Sequence, residues 1–378
     1  MKRIYFAIMV LLFLVACEGK KETLTISGLK KSDFITTVDG KPVALYVLQN
    51  KNGFEAAITN YGGRLVSMIA RDRDGKPLDV VLGYDNIHDY LASDGNFGAL
   101  IGRYGNRIAN ARFSLDSVEY ILPANNNGHC LHGGPQGYHT RVWEALQTDD
   151  QTLVLTLLSA DGNAGFPGNL LIKTTYTLTD DNAIDIRYEA TTDKPTVVNM
   201  TNHSYFNLSG IPGSDITGHL IHINADAYTP VDDTLIPTGI LEPVEGTPMD
   251  LRTLIPIATC IDEPFDQLQK GKGYDHNWVL NTGGDIHTLA AKAVSEHSGI
   301  ALEVYTNEPG IQFYTGNFLS GQDAGKQGVV YPHRGAFCLE TQHYPDSPNQ
   351  SAFPSVVLLP GQTYRSHCIY KFLLSDSL

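Results

Sequence analysis

Basic residues are scarce in this chain. Lysine and arginine number 27 against 41 aspartates and glutamates, for a formal net charge of −14. No basic run follows the N-terminal region, which argues against a nucleic-acid partner. Cysteine is sparse too: five in 378 residues, none in CxxC spacing, so the sequence assigns no disulfide partners. Helical periodicity is nearly missing; only residues 87–92 and 264–269 could each form a single helical turn. No stretch of roughly 40 residues repeats, which argues against a propeller. No linker divides the chain, although its length alone would allow roughly two domains of about 150 residues each. Long apolar runs are confined to the first 16 residues.

That one run is a separate matter. Lys2 and Arg3 precede the apolar residues 4–16, and the run ends in Leu14-Val15-Ala16-Cys17. It is too short to span a bilayer and has the layout of an export signal. Its last four residues resemble a bacterial lipobox, in which cleavage precedes the cysteine and the cysteine is lipidated. Residues 1–17 are therefore expected to form a lipoprotein signal peptide ending at a lipidated Cys17. Residues 18–32, mostly polar with four lysines, are expected to form a tether. The expected location is the bacterial cell envelope, periplasm-facing or in the outer membrane, with the membrane engaged only through the lipid. In such an oxidising setting Cys130, Cys260, Cys338 and Cys368 could pair or stay as free buried thiols.

Turn formers and aromatics are plentiful instead, with 36 glycines, 19 prolines and 19 tyrosines. From Phe34 onward, short apolar or alternating runs are broken by turn signals such as Asp39-Gly40-Lys41-Pro42 and Asp74-Gly75-Lys76-Pro77. Strand-like runs recur at residues 43–48, 54–59, 67–70, 143–147, 153–159, 170–178 and 183–190. The expected fold is all-β: one large antiparallel domain of packed sheets over residues 33–378.

Residues 196–208, TVVNMTNHSYFNL, are the most unusual of these runs. Written as one strand, they place Asn199, Thr201, His203, Tyr205 and Asn207 on one face, with Val198, Met200 and Phe206 on the other. A polar face centred on a histidine and a tyrosine suits the floor of a cleft for a polyhydroxylated ligand; a solvated surface is the plain alternative. GRYGNRI, residues 102–108, offers Arg103 and Arg107, which could clamp an oxyanion or donate forked hydrogen bonds to hydroxyls. NNNGHCLHGG, residues 125–134, sets His129 and His132 three apart around Cys130, a spacing that invites a metal. No other cluster supplies the remaining ligands at a recognisable spacing, so no metal is expected. GYDHNW, residues 273–278, sets aromatics beside a carboxylate and an amide, a surface suited to a pyranose. In AFCLETQHYP, residues 336–345, Phe337 and Leu339 share one strand face while Cys338, Glu340 and Gln342 share the other. A carboxylate there needs a partner or a wet cleft. Gln312, in IQFY, likewise lies opposite an apolar face.

Taken together and in this order, these segments resemble the aldose 1-epimerase family, also called galactose mutarotases. The matching pieces are GRYGNRI at Gly102, LHGG at Leu131, DGNAGFPG at Asp161, TNHSYFNL at Thr201, YDHNW at Tyr274, GIQFYTGNF at Gly310 and LETQHYPDSPN at Leu339. The resemblance implies a large antiparallel β-sandwich, the galactose mutarotase-like supersandwich. It also implies cofactor-free interconversion of the α and β anomers of free aldoses, galactose- or glucose-like hexoses and also pentoses. Carried over position by position, His203 falls where the family has its general acid, Glu340 where it has its general base, and His132 at its second active-site histidine. Asn106, Arg107, Asp275 and Gln312 match positions that hold sugar hydroxyls. Asn163 departs from the pattern, since many relatives carry an acidic residue there, in a loop that supplies no catalytic group. A small aldose is the expected partner, bound by a monomer or homodimer.

The residue types suit that chemistry. Inverting an anomeric centre through the open chain needs a base for the anomeric hydroxyl proton and an acid for the ring oxygen. No metal, nucleotide or covalent intermediate is required. The base must be ionised and the acid protonated, so nearby carboxylates are expected to raise the pKa of His203. Three other readings compete. A sugar-phosphate epimerase on the same fold would want a basic cluster. A glycoside hydrolase would use Glu340 and Asp275 as its paired carboxylates, leaving His203 without a task. A non-catalytic surface sugar-binding protein would need neither proton donor nor acceptor.

Overall fold

The computed structural model describes residues 24–322 and 324–375. The expected signal peptide, Cys17 and the first part of the expected tether lie outside the described residues. The expected tether does not reach residue 32. Leu29 is buried, the Ile26 amide donates to the Glu55 carboxylate at 2.7 Å, and a 3-10 turn, Lys31–Phe34, buries Phe34. Leu29, an apolar side chain set beside lysines, helps seat the segment, and the polar composition around it concealed this.

The largest layer is a nine-stranded sheet in which every neighbouring pair is antiparallel. Its first four strands are Glu144–Gln147, Thr152–Ser159, Leu170–Leu178 and Ala183–Thr192. The C-terminal strand Tyr364–Leu374 then sits between Ala183–Thr192 and Ile300–Thr306. Burial alternates along Leu170–Leu178, where Leu170, Ile172, Tyr176 and Leu178 point inward and Leu171 and Lys173 outward, as a half-buried strand requires.

The second layer is split. A four-stranded sheet holds Leu45–Gln49, Glu55–Thr59, Arg64–Arg71 and Pro77–Asp79; a five-stranded sheet includes Ala225–Thr229, Asp275–Leu280, Gly310–Tyr314 and Cys338–Gln342. One apolar cluster joins the three sheets through Ile58, Met68, Ile172, Ile186, Tyr370, Trp278, Phe313 and Leu339. Each such side chain contributes about 1.5–3 kcal/mol when fully buried. The architecture is the expected antiparallel sandwich. Helix Ile87–Ala92 falls where expected, its first turn capped by the Asn86 side chain on the Asp89 amide. The other expected turn appears as Asp266–Gly271. No helix among the described residues is long and apolar enough to cross a membrane. Cys130, Cys260, Cys338 and Cys368 are all free thiols.

Residues 196–208 are not one continuous strand. They pair at Thr196–Val197 and Thr201–His203, with isolated bridges at Asn199 and Phe206. The interruptions have a local cause. Asn202 Oδ1 accepts the Ser204 amide and Asn207 Oδ1 accepts the Ser209 amide, side-chain turns that compete with a ladder.

Candidate active site

In the five-stranded sheet, Asn277, Gln312 and Glu340 lie in register on three adjacent strands, as do Asp275, Tyr314 and Cys338. These residues share one face. The opposite face sends Trp278, Phe313 and Leu339 into the core. Every residue of Gly310–Tyr314 and Cys338–Gln342 is buried, so the polar face is covered as well. The cover comes from two short antiparallel pairs. Thr201–His203 pairs with Ala99–Ile101 and lies against the Glu340 strand. Arg107–Ile108 pairs with Cys130–Leu131 and reaches the sheet through Arg107, whose Nη2 lies 3.7 Å from Asp275 Oδ2.

Between cover and sheet is a cavity of about 300 Å³, walled by Asn106, Arg107, His132, His203, Asp275 and Glu340 together with Tyr205 and Tyr314. His203 Nε2 approaches Glu340 Oε1 at 3.6 Å. The His203 ring stacks on Tyr205, with centroids 4.9 Å apart and planes 19° apart, and meets the edge of His132 at 5.2 Å. His132 Nδ1 accepts the Asn106 amide at 3.1 Å. Its ring proton therefore sits on Nε2, making it a neutral donor. Asn106 Oδ1 accepts the Arg107 amide at 2.9 Å, which leaves Nδ2 as its donor.

Six of the seven expected site residues are thus brought together on the cavity wall. Gln312 is the exception. It does not line the cavity; its Nε2 donates to Asp275 Oδ1 at 2.8 Å from behind. Other polar residues of these motifs have structural tasks. Arg103 is buried and donates to the carbonyls of Pro167, Gly168 and Ser159. Asn199 ties the carbonyls of Gly105 and His343 together. His129 accepts the Asn110 amide and does not line the cavity. Sequence reasoning missed Asn96, Leu235 and Phe318 on the wall. Phe318 alone had a signal, lying in GIQFYTGNF.

The expected electrostatics need correction. Burial pushes His203 down to about 3, with the charges of His139 and Arg64 acting in the same direction. Burial also pushes Glu340 well above the usual carboxylate range, with Asp275 adding to the rise and Arg107 opposing it. The nearby carboxylate does not raise the histidine because the same desolvation neutralises that carboxylate. A single proton shared as Glu–COOH and neutral imidazole is the form that burial favours.

A metal reading regains some ground from the fold, since donor atoms of His132, His203 and Glu340 lie within 4.8 Å of one another. The donor set does not fit well. With Nδ1 accepting a backbone amide, His132 presents N–H at Nε2 and would have to become an imidazolate to bind an ion there.

A profile of the family described as Aldose 1-epimerase matches residues 44–371. The chain belongs to the aldose 1-epimerase family. It is 44% identical to the galactose mutarotase of Rattus norvegicus over 315 residues, covering 83% of this chain and 90% of the rat protein. It is 40% identical to the aldose 1-epimerase of Escherichia coli (strain K12) over 337 residues, covering 89% and 96% respectively. The solved GalM/aldose epimerase homologue from C. elegans matches with a TM-score of 0.81 at 30% identity, covering 88% of this chain and 100% of that one. As an aldose 1-epimerase the protein is an isomerase that interconverts the anomers of aldoses.

Proposed function

We propose that Glu340 and His203 carry the two proton transfers of this epimerase, acting on free hexoses such as galactose and glucose and on pentoses. The observation that carries the reading is the 3.6 Å approach of His203 Nε2 to Glu340 Oε1 inside a cavity walled by hydrogen-bonding groups. With a cyclic sugar bound, the anomeric O–H donates to the Glu340 carboxylate and the ring oxygen accepts from His203 Nε2–H. Glu340 takes the hydroxyl proton as the C1–O5 bond breaks. That bond's electron pair goes to O5, which takes the His203 proton, and C1–O1 becomes a carbonyl. The products are an aldehyde, a carboxylic acid and a neutral imidazole. Rotation about C1–C2 presents the other carbonyl face, and the reverse transfers close the ring.

The pair thus holds one exchangeable proton throughout, on His203 beside the ring form and on Glu340 beside the open chain. Burial favours the second arrangement, so the site is matched to the intermediate rather than to either anomer, as transition-state complementarity asks. His132 Nε2–H supplies a further donor to a sugar oxygen. Arg107, Asn106 and Asp275 hold hydroxyls, and Gln312 positions Asp275. Arg107 is itself engaged by Asp275, which leaves no basic cluster for a sugar phosphate.

Polarimetry on freshly dissolved single anomers of galactose, glucose, xylose and arabinose, run beside a reducing-sugar assay, tests this reading. Faster anomer conversion without release of sugar from a glycoside is expected; release would favour a hydrolase. A lipid anchor on Cys17 belongs to the same reading, supported by the lipobox-like ending of residues 14–17. Cys17→Ala should release the protein from membranes or block its processing, and unchanged fractionation and precursor size would count against the anchor.

A further inference from the structure

His203 has two ring nitrogens, and the proton shuttle uses only Nε2. At Nδ1 the neighbour is Cys338, whose Sγ lies 3.5 Å away. Cys338 is fully buried, two residues before Glu340 on the same strand and on the same face. The rest of the imidazole is enclosed by rings: Tyr205 stacked on it, His132 and Tyr314 edge-on. Among the described side chains, the Cys338 thiol alone stands within hydrogen-bond reach of Nδ1.

We propose that Cys338 is a positioning residue for the epimerase reaction: its sulfur accepts from Nδ1–H and holds neutral His203 in the tautomer whose bare Nε2 faces Glu340. The proposal rests on His203 being the acid. A histidine that gives a proton from Nε2 and takes it back there must keep its other proton on Nδ1 through the cycle. With the opposite tautomer, Nε2 would be capped and ring closure would lose its base.

Sulfur suits the position because it is a weak acceptor. A carboxylate behind the ring would stabilise the imidazolium and make it a reluctant acid. The thiol orients the ring without adding charge, since burial, with Glu340 and Asp275 nearby, keeps it protonated. The groups facing His203 are then Glu340 and Cys338 from one strand, His132 from the glycine loop, and Tyr205 and Tyr314. Arg64 and His139 act from farther out. Of these, Cys338 alone is in contact with Nδ1.

The test compares wild type, Cys338→Ala and Cys338→Ser by kcat, KM, Tm and long-range 1H–15N NMR of the His203 ring. Wild type should show the Nδ1–H tautomer. Cys338→Ala should lose about five- to tenfold in kcat at unchanged KM, with mixed tautomers. Cys338→Ser should recover most of the loss, because its Oγ can accept in place of sulfur. An Nε2–H tautomer in wild type would overturn the proposal. So would wild-type kcat in Cys338→Ala, or a loss that tracks Tm and KM while the tautomer stays put. If His203→Asn itself keeps wild-type kcat, the acid assignment fails and this proposal falls with it, a result separable from failure of Cys338 alone.

Discussion

Leu170–Leu178 in the nine-stranded sheet and Cys338–Gln342 in the five-stranded sheet both send successive side chains to opposite faces, one of them lining the core, yet their other faces behave as opposites. On the first, the outward residues Leu171 and Lys173 are exposed, and Lys173 pairs with Glu189 on the surface. On the second, no residue is exposed, and Glu340 is only 2% accessible. Water sustains the polar face of the first strand. The polar face of the second has to be sustained by neighbours, and those are incomplete: Glu340 Oε2, Gln312 Oε1 and both amide atoms of Gln342 find no hydrogen-bond partner among the described residues. Alternation therefore identifies a strand in either place, but a carboxylate kept under full burial on a cavity wall, as Glu340 is, marks a candidate site.

The comparison breaks if polar residues on the two faces respond alike to substitution. The largest effect is expected at His203. His203→Asn should lose at least about two orders of magnitude in kcat while thermal unfolding stays cooperative. Asp275→Ala removes a carboxylate held by Arg107 and Gln312. It should lower kcat/KM by roughly 10- to 100-fold, the worth of a hydrogen bond to a charged group.

Stability sharpens the contrast. Glu340 is raised above its ordinary 4.5, so the folded protein keeps a proton that the unfolded chain releases. Its contribution is lost as pH rises from 4.5 through the raised value. His203, pushed from 6.5 to about 3, acts oppositely, and its contribution is lost as pH falls through that range. Above 4.5 the two slopes therefore oppose each other over the range in which both groups titrate. Glu340→Gln removes the Glu340 loss and should therefore raise Tm relative to wild type by a margin that grows as pH rises from 4.5, as scanning calorimetry can check. Smallest of all, Lys173→Ala on the solvated face should stay within about 0.5 kcal/mol in stability and leave turnover unchanged.

Much of this was legible in the sequence because alternation and turn chemistry are local. The strands at 153–159 and 170–178, the helical turn at 87–92 and the shared face of Cys338, Glu340 and Gln342 all follow from spacing within a few residues. The site residues His132, His203 and Glu340 were reachable through their motifs. What failed to show was anything decided by how distant segments dock. Arg103 and Arg107 sit in one motif with equal credentials, and only packing against Pro167 and Asp275 separates a structural arginine from a site arginine. Gln312 faces the right way but stands behind Asp275. The protonation of His203 departs from expectation because a neighbouring carboxylate is visible in sequence, whereas the burial that neutralises it is not. Leu29, hidden beside lysines, shows the same limit at the start of the domain.

The central claim, that Glu340 and His203 pass one proton between them and the sugar, is tested most directly by polarimetry on freshly dissolved α-galactose with wild type and Glu340→Gln. The spontaneous rate in buffer is subtracted, and sugar binding is measured in parallel. The amide introduced by this substitution keeps the shape of the side chain but cannot accept the anomeric proton. The account predicts that Glu340→Gln binds sugar yet turns over at least about two orders of magnitude more slowly. A rate near that of wild type would contradict it.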